Sequence, residues 1–571
     1  MPSIPQEPRR EVLEAAIRKS VAQSKGEGLS GRPDPGLCGR ARRAAFRLGP
    51  YRLPMTTPAN HPKHYTDVCT LRHEAKTLGS IGHLLNWDQE TYMPHAAAAH
   101  RADQASLLSG IEHEKLTSKR LGELLAQCEA DKSLTGDPAS REAANIREMR
   151  RDYDLATKLP TELVSELAKV GSQAQEVWKD ARQKNDFAMF RPWLEKMFEL
   201  TRRKAECLMS GRGGAKGELY DALLDEYEPG ATGREIEAVF TPLRPRLSGL
   251  VKELAGAAAK GNAPADAFLK AEFPAAKQHE FGQFVLKAMG FDFGAGRLDT
   301  TTHPFCSGMA PGDTRLTTRY RDEKFTDALY GTMHEGGHGL YEQGLPKSSR
   351  FGQPLSEAIS LGIHESQSRM WENFVGRSRE FWEWALPHAK KYAGGSLDQF
   401  SVAEAFGATN LVQPSFIRVE ADEATYNLHV MLRFGLERSL ISGELPIKDL
   451  PGEWNKRFKD LLGVEVPDDR RGCMQDVHWS FGLIGYFPTY TLGNLYAAQM
   501  WETIHEQIPG MRDKMRAGDF APLLTWLREK IHQHGRRYGA AELCKRITGK
   551  PLSADPLMRH LEGKLKPVYG L

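Results

Sequence analysis

A chain of 571 residues, 40% of them hydrophobic and 26% charged, has the make-up of an ordinary soluble globular protein with a large core. A net charge of +3 gives no field that would make nucleic acid or an anionic membrane the main partner. Seven scattered cysteines with no C-x-x-C pair fit reduced thiols in the cytoplasm, and no apolar run reaches the ~18 residues of a membrane span.

Residues 1–57 read as a basic, disordered N-terminal extension, and 58–571 as one folded domain. Residues 1–54 carry 11 Lys and Arg against five Asp and Glu, and apolar residues are sparse outside Arg10 to Val21. No continuous apolar segment marks a secretory signal, and the acids count against an Arg-rich targeting peptide; a disordered tail, or Met55 as initiator, is the expectation. From residue 62 onward the chain reads as helical almost throughout, with 3.6-residue apolar spacing in 69–87, 140–171, 174–209, 233–260 and 491–507. The Gly-rich 211–217 lacks the Gly-Lys-Ser/Thr ending of a phosphate loop and reads as a plain loop; the Ala/Gly-rich 255–267 reads as a connector. Strand candidates are few, and the Thr-rich 313–320 is the best of them.

The chemistry concentrates between Phe325 and Leu345. There Met333-His334-Glu335-Gly336-Gly337-His338 sets two imidazoles four residues apart on one helical face, within reach of one cation. Glu335 projects about 100° round the helix, so it can face a water rather than the ion; this is the H-E-x-x-H arrangement of zinc peptidases. Phe325, Leu329 and Met333 give the helix a buried stripe. Gly336 and Gly337 each cost about 1 kcal/mol relative to Ala inside a helix, a cost that a purely structural helix has no reason to bear. Small residues there predict close packing against the backbone beside the histidines, and Gly344 and Pro346 end the helix.

A catalytic zinc takes three protein ligands and keeps one position open. Glu357 and Glu365 compete for the third place. Both fall on a helix expected over 356–376, with Ile359, Ile363 and Met370 on its buried side, and they point about 80° apart. Spacing does not choose between them, and the carboxylate that is not a ligand is expected to hold a histidine ring in place.

Further motifs follow along the chain: His303-Pro304-Phe305, Asp313-Thr314-Arg315-Leu316-Thr317, His364-Glu365-Ser366-Gln367, Ile417-Arg418-Val419-Glu420-Ala421-Asp422 and Gly472-Cys473-Met474-Gln475-Asp476-Val477-His478-Trp479. With Trp87-Asp88-Gln89-Glu90 near the start and Gly485-Tyr486-Phe487-Pro488 near the end, and in this order, they resemble the signature of the carboxypeptidase Taq family, the M32 metallocarboxypeptidases. The resemblance implies a mostly α-helical, cleft-containing fold akin to neurolysin and angiotensin-converting enzyme, with few short strands beside the metal helix, commonly a homodimer. It implies Glu365 as third metal ligand beside His334 and His338, zinc that cobalt can replace, and removal of single residues from peptide C-termini with broad tolerance and proline disfavoured.

In that reading Glu335 is the general base, and His478 and Tyr490, with Tyr486 second, supply donors for an oxyanion. Arg418 and, less directly, Arg315 grip the terminal carboxylate of the peptide, while His303, Asp313 and Gln475 line the substrate cleft. Singly, these residues have plainer roles. His303 would be an extended loop residue, Asp313 and Arg315 a surface pair, and Arg418 and Asp422 an intrahelical ion pair. A zinc oligopeptidase or endopeptidase on the same scaffold is one alternative. A non-catalytic interaction protein with a structural metal is another, and it would need a fourth protein ligand.

Overall fold

The computed structural model describes residues 61–209 and 217–571, so the expectations for 1–57 and for all but the last residue of the 211–217 loop lie outside the described residues. Helix α1 (Lys63–Thr91) turns back into α2 (Ala98–Leu116), and the ion pairs Arg101–Asp88 and Lys115–Glu74 fix the two antiparallel. The helix expected over 140–171 is two. Here α3 (Arg141–Lys158) stops where Pro160 forces Leu159 into extended backbone, and a second helix, Thr161–Lys184, follows. The 174–209 segment likewise breaks at Asn185, whose φ of 55° is left-handed. The 255–267 connector begins inside a helix, Gly233–Ala257, that runs into a π turn over Ala258–Asn262. Between these, α4 (Leu219–Leu224) is short and buried.

Three strands form one small sheet in the order β1 (Gly296–Thr300), β3 (Asp313–Thr318), β2 (Cys306–Ala310), with β1 parallel and β2 antiparallel to β3. The best strand expected from the sequence is thus β3, ending two residues early. Helix α5 (Phe325–Gly344) carries the two histidines and lies against this sheet. Its glycines answer to contact. A Cβ on Gly337 would lie 2.5 Å from the Gln367 carbonyl oxygen, and one on Gly339 would lie 2.7 Å from the Leu316 side chain. The predicted close approach beside the histidines is therefore made by α6 (Leu361–Arg369). Helix α6 begins at Ser360, whose hydroxyl accepts from Ile363 N, and continues into a π turn over Met370–Gly376.

On its other side α6 packs on α8 (Pro488–Gln507), where a Cβ on Gly493 would sit 2.6 Å from Glu365 Cγ. Helix α7 (Glu423–Ser442) and α8 are buried on nearly all faces because both run through the main core, and α7 carries the buried polar side chains Asn427, His429, Arg433 and Glu437. The described residues fall in one compact unit, and among them no helix is long and apolar enough to cross a membrane.

Candidate metal centre

Glycine contacts on both sides of α6 fix where its Glu365 meets α5. Glu365 Oε2 stands 3.6 Å from His334 Nε2 and 3.5 Å from His338 Nε2, and the three donor atoms all lie within 4.8 Å of one another. Ligand atoms about 2.0–2.2 Å from a tetrahedral zinc are roughly 3.3–3.5 Å apart, so two imidazoles and a carboxylate at this spacing fit such an ion. Among the described residues no fourth His, Cys, Asp or Glu joins the cluster, which leaves the fourth position for a water or substrate.

Each donor is held from behind. His334 Nδ1 bonds Glu372 Oε2 at 2.9 Å, and Glu372 is itself clasped by Arg369 and Arg377. His338 Nδ1 meets His364 Nδ1 at 2.6 Å, His364 Nε2 meets Glu342 Oε1 at 2.9 Å, and Lys347 closes the chain on Glu342. Arg369 Nε donates to Glu365 Oε1 at 2.7 Å, while Ser368 Oγ donates to Oε2. These partners fix the ring faces and keep lone pairs aimed at one point.

The electrostatics suit cation binding. Burial, reinforced by His364, pushes His338 down to about 3, so its imidazole is neutral. Burial opposes ionisation of Glu365, but Arg369 and His334 hold it well below the usual carboxylate range. Lys347 and His364 likewise outweigh burial at Glu342 and bring it to about 2. Glu335, on the same helix as the two histidines, has no ion-pair partner among the described residues, and burial pushes its carboxyl up to about 7. A carboxyl poised there can both take and return a proton near neutral pH.

Two sequence expectations are corrected. Glu357 does not share a helix with Glu365: it is extended, with φ −112° and ψ 154°, before the cap at Ser360. Its carboxylate pairs with Lys76 and Arg536 at 3.1 and 3.2 Å and touches no histidine. The acid behind His334 is Glu372, supplied by the π turn and lying seven residues past Glu365, a spacing that keeps both on one face. Arg418 and Asp422 form no intrahelical pair either. Arg418 sits on a 3₁₀ turn, Arg418–Glu420, and Asp422 caps α7 by accepting from Ala424 N and Thr425 N.

Arg418, His478, Tyr486 and Tyr490 gather around Tyr426, whose ring lies beside the Arg369 that binds Glu365. Arg418 donates to Asp476 Oδ1 from Nε and Nη2 and to Tyr426 Oη from Nη1, and Arg433 binds the second oxygen of Asp476. The Tyr426 ring lies 5.9 Å from the Arg418 guanidinium and 4.6 Å from that of Arg369. His478, half-buried, has its ring 5.4 Å from that of Tyr486, and the Tyr486 and Tyr490 hydroxyls are 3.4 Å apart. Burial pushes His478 down to about 4, so it is an uncharged donor at neutral pH. Both tyrosines feel the charge of Glu365, and Tyr486 also that of Glu335.

Gln475 spends its amide on the backbone, accepting from Arg418 N and donating to the carbonyls of Phe416, Arg471 and Gly472, so it holds Arg418 in place. Arg315 and Asp313 pair through two 2.9 Å bonds, and the Arg315 guanidinium lies 4.2 Å from the ring of Trp87 on α1. His303 is exposed on the bend between β1 and β2.

Comparison with known proteins agrees with this geometry. The family model for carboxypeptidase Taq (M32) metallopeptidases matches residues 67–565. Thermostable carboxypeptidase 1 of Thermus thermophilus is 44% identical over 510 residues, which is 89% of this chain and 99% of that protein. Carboxypeptidase 1 of Bacillus subtilis is 38% identical, covering 85% of this chain and 95% of its own. The crystal structure of an M32 carboxypeptidase from Deinococcus radiodurans superposes with a TM-score of 0.84 at 38% identity over 89% of this chain and 100% of that one. With this mostly helical fold and these ordered motifs, the chain belongs to the M32, or carboxypeptidase Taq, family of metallocarboxypeptidases.

Proposed function

We propose that the protein is a zinc carboxypeptidase that releases single residues from free peptide C-termini. Charge carries this reading. Arg418 and Arg433, 4% and 0% exposed, share the one carboxylate of Asp476 at 3.0 and 2.5 Å, so this corner keeps a positive charge in excess. Buried charge without a partner is costly, and a peptide's terminal carboxylate is a partner that internal peptide bonds lack. Five N–H groups on a guanidinium leave Arg418 two more after its bonds to Asp476 and Tyr426.

His334, His338 and Glu365 would hold the zinc, which when bound supplies a Lewis acid for the scissile carbonyl and lowers the pKa of water toward 7. Glu335 takes a proton from the attacking water at a carboxylate oxygen and passes it to the departing amine. His478, neutral, donates an N–H, and Tyr490 with Tyr486 donates an O–H, toward the oxygen that gains charge. Family likeness supports broad side-chain tolerance with proline disfavoured, cobalt as a substitute ion, a homodimer and a cytoplasmic setting.

The test compares one good peptide with a free and with an amidated C-terminus, products being identified by mass. Amidation should lower kcat/KM of the wild type by about 10²-fold, and should cost Arg418→Ala little because the partner is already gone. Equal discrimination in both would refute Arg418 as the anchor. Internal cleavage of the amidated peptide would mark an endopeptidase.

A further inference from the structure

One buried acid stands behind the catalytic loop and takes no part in the chemistry described so far. Glu437, on α7, is 0% exposed, and among the described residues no basic side chain pairs with its carboxylate. Its partners are neutral donors: Trp479 Nε1 at 2.8 Å on Oε1, and Tyr220 Oη at 2.8 Å with Gly485 N at 3.1 Å on Oε2. Two of these belong to a single loop and sit six residues apart. Trp479 follows His478 directly, and Gly485 directly precedes Tyr486. The third, Tyr220, is on α4, against which the loop closes: a Cβ on Gly485, whose φ is +88°, would lie 2.8 Å from Leu224 N.

We propose that Glu437 is a positioning residue that sets the spacing of the His478 and Tyr486 rings by gripping both ends of the loop between them. A side chain present only to fill space here would be apolar, since a buried carboxylate is retained only where donors converge on it. One oxygen fixes the His478 end and the other the Tyr486 end, so the 5.4 Å between those rings is defined from behind by one rigid planar group.

The inference rests on the oxyanion role given to His478 above, and the test separates the two. Glu437→Gln keeps an acceptor for Trp479 but turns an amide N–H₂ toward Gly485 N–H, freeing that end. In the full-length, metal-loaded enzyme kcat should fall by about 10²-fold with KM within about threefold, because a small misplacement harms the transition state most. Metal content should stay stoichiometric, since no donor to the ion is touched. In a His478→Ala background the same substitution should cost less than about threefold, because residues acting as a unit are not additive.

Trp479→Phe removes the other bond, at the His478 end of the loop, and should lower kcat comparably, which decides the matter if Glu437→Gln fails to fold. A parallel loss of metal, KM and kcat would overturn the inference and reduce Glu437 to a structural acid. So would a full loss from Glu437→Gln on top of an intact His478→Ala loss, and that result would leave the role of His478 standing. A His478→Ala loss below about tenfold would refute that role, and the inference with it.

Discussion

Gly337→Ala tests whether the distance between α5 and α6 is what makes the centre. The added Cβ would lie 2.5 Å from Gln367 O and 2.7 Å from Ser368 Cα, whereas ordinary contact begins at 3.4 Å. Both clashes are with backbone, so no side chain can swing away, and the two helices must part by about 1 Å. Glu365 lies two residues before Gln367 on α6, while His334 and His338 are on α5, so the displacement opens the donor triangle itself. Overpacking costs about 1–3 kcal/mol, and Ala returns about 1 kcal/mol of helix propensity, so global stability should change by at most about 2 kcal/mol. A 1 Å misplacement at the site costs roughly 10²-fold in turnover. Metal affinity by chelator competition, kcat/KM and thermal midpoint should therefore separate, the first two falling steeply and the third little. Gly336→Ala is the control: its Cβ would meet the end of the Leu286 side chain at 2.4 Å, which can rotate. If Gly337→Ala binds metal and turns over like wild type, the glycine does not set the centre.

Three further outcomes follow. Glu335→Gln should keep metal stoichiometric while turnover falls by about 10²–10⁴-fold, because the base is lost and all three donors remain; metal analysis beside a peptide assay checks it. Glu372→Gln should weaken metal affinity about 10–100-fold through the His334 ring, whereas Glu357→Gln should leave it unchanged and lower only the thermal midpoint; dialysis against a chelator reads both. Burial pushes His532, 1% exposed, down to about 3, so the unfolded chain takes up its proton first as pH falls through about 6.5. Its contribution is full above that pH and is lost on acidification, so His532→Gln should flatten the fall in thermal midpoint between about pH 6.5 and 5. An unchanged slope would refute the assignment.

What was legible in the sequence was whatever obeys a fixed period. His334 and His338 share a helical face by spacing alone, and Gly337 announced a close neighbour that α6 supplies, whereas Gly336 faces the Leu286 side chain. Glu357 went astray because Ile359, Ile363 and Met370 draw one stripe across two elements. The break between them is Ser360, whose cap on Ile363 N is a short-range signal that the apolar rhythm masks. Glu372, by contrast, obeys the same period: seven residues past Glu365, it points within about 20° of it on the expected helix, and in the fold both carboxylates face His334. The Arg418–Asp476–Arg433 cluster joins segments 58 and 43 residues apart, and no local pattern records such a meeting. Family motifs named Arg418, but only the packed fold reveals that Arg433 stands behind it.

The bond from Arg369 to Glu365 has a bearing on which ion the centre accepts. With Oε1 engaged by the guanidinium, Glu365 presents a single oxygen, Oε2, toward the imidazoles. Calcium takes six to eight oxygen ligands and often a bidentate carboxylate, and magnesium demands near-octahedral oxygen. Two nitrogens and one monodentate oxygen satisfy neither, and instead suit borderline ions content with four or five neighbours, such as zinc and cobalt. On the metal-binding role proposed for this centre, Arg369, although no donor to the ion, would narrow the range of ions the pocket keeps against the far more abundant alkaline earths of a cell.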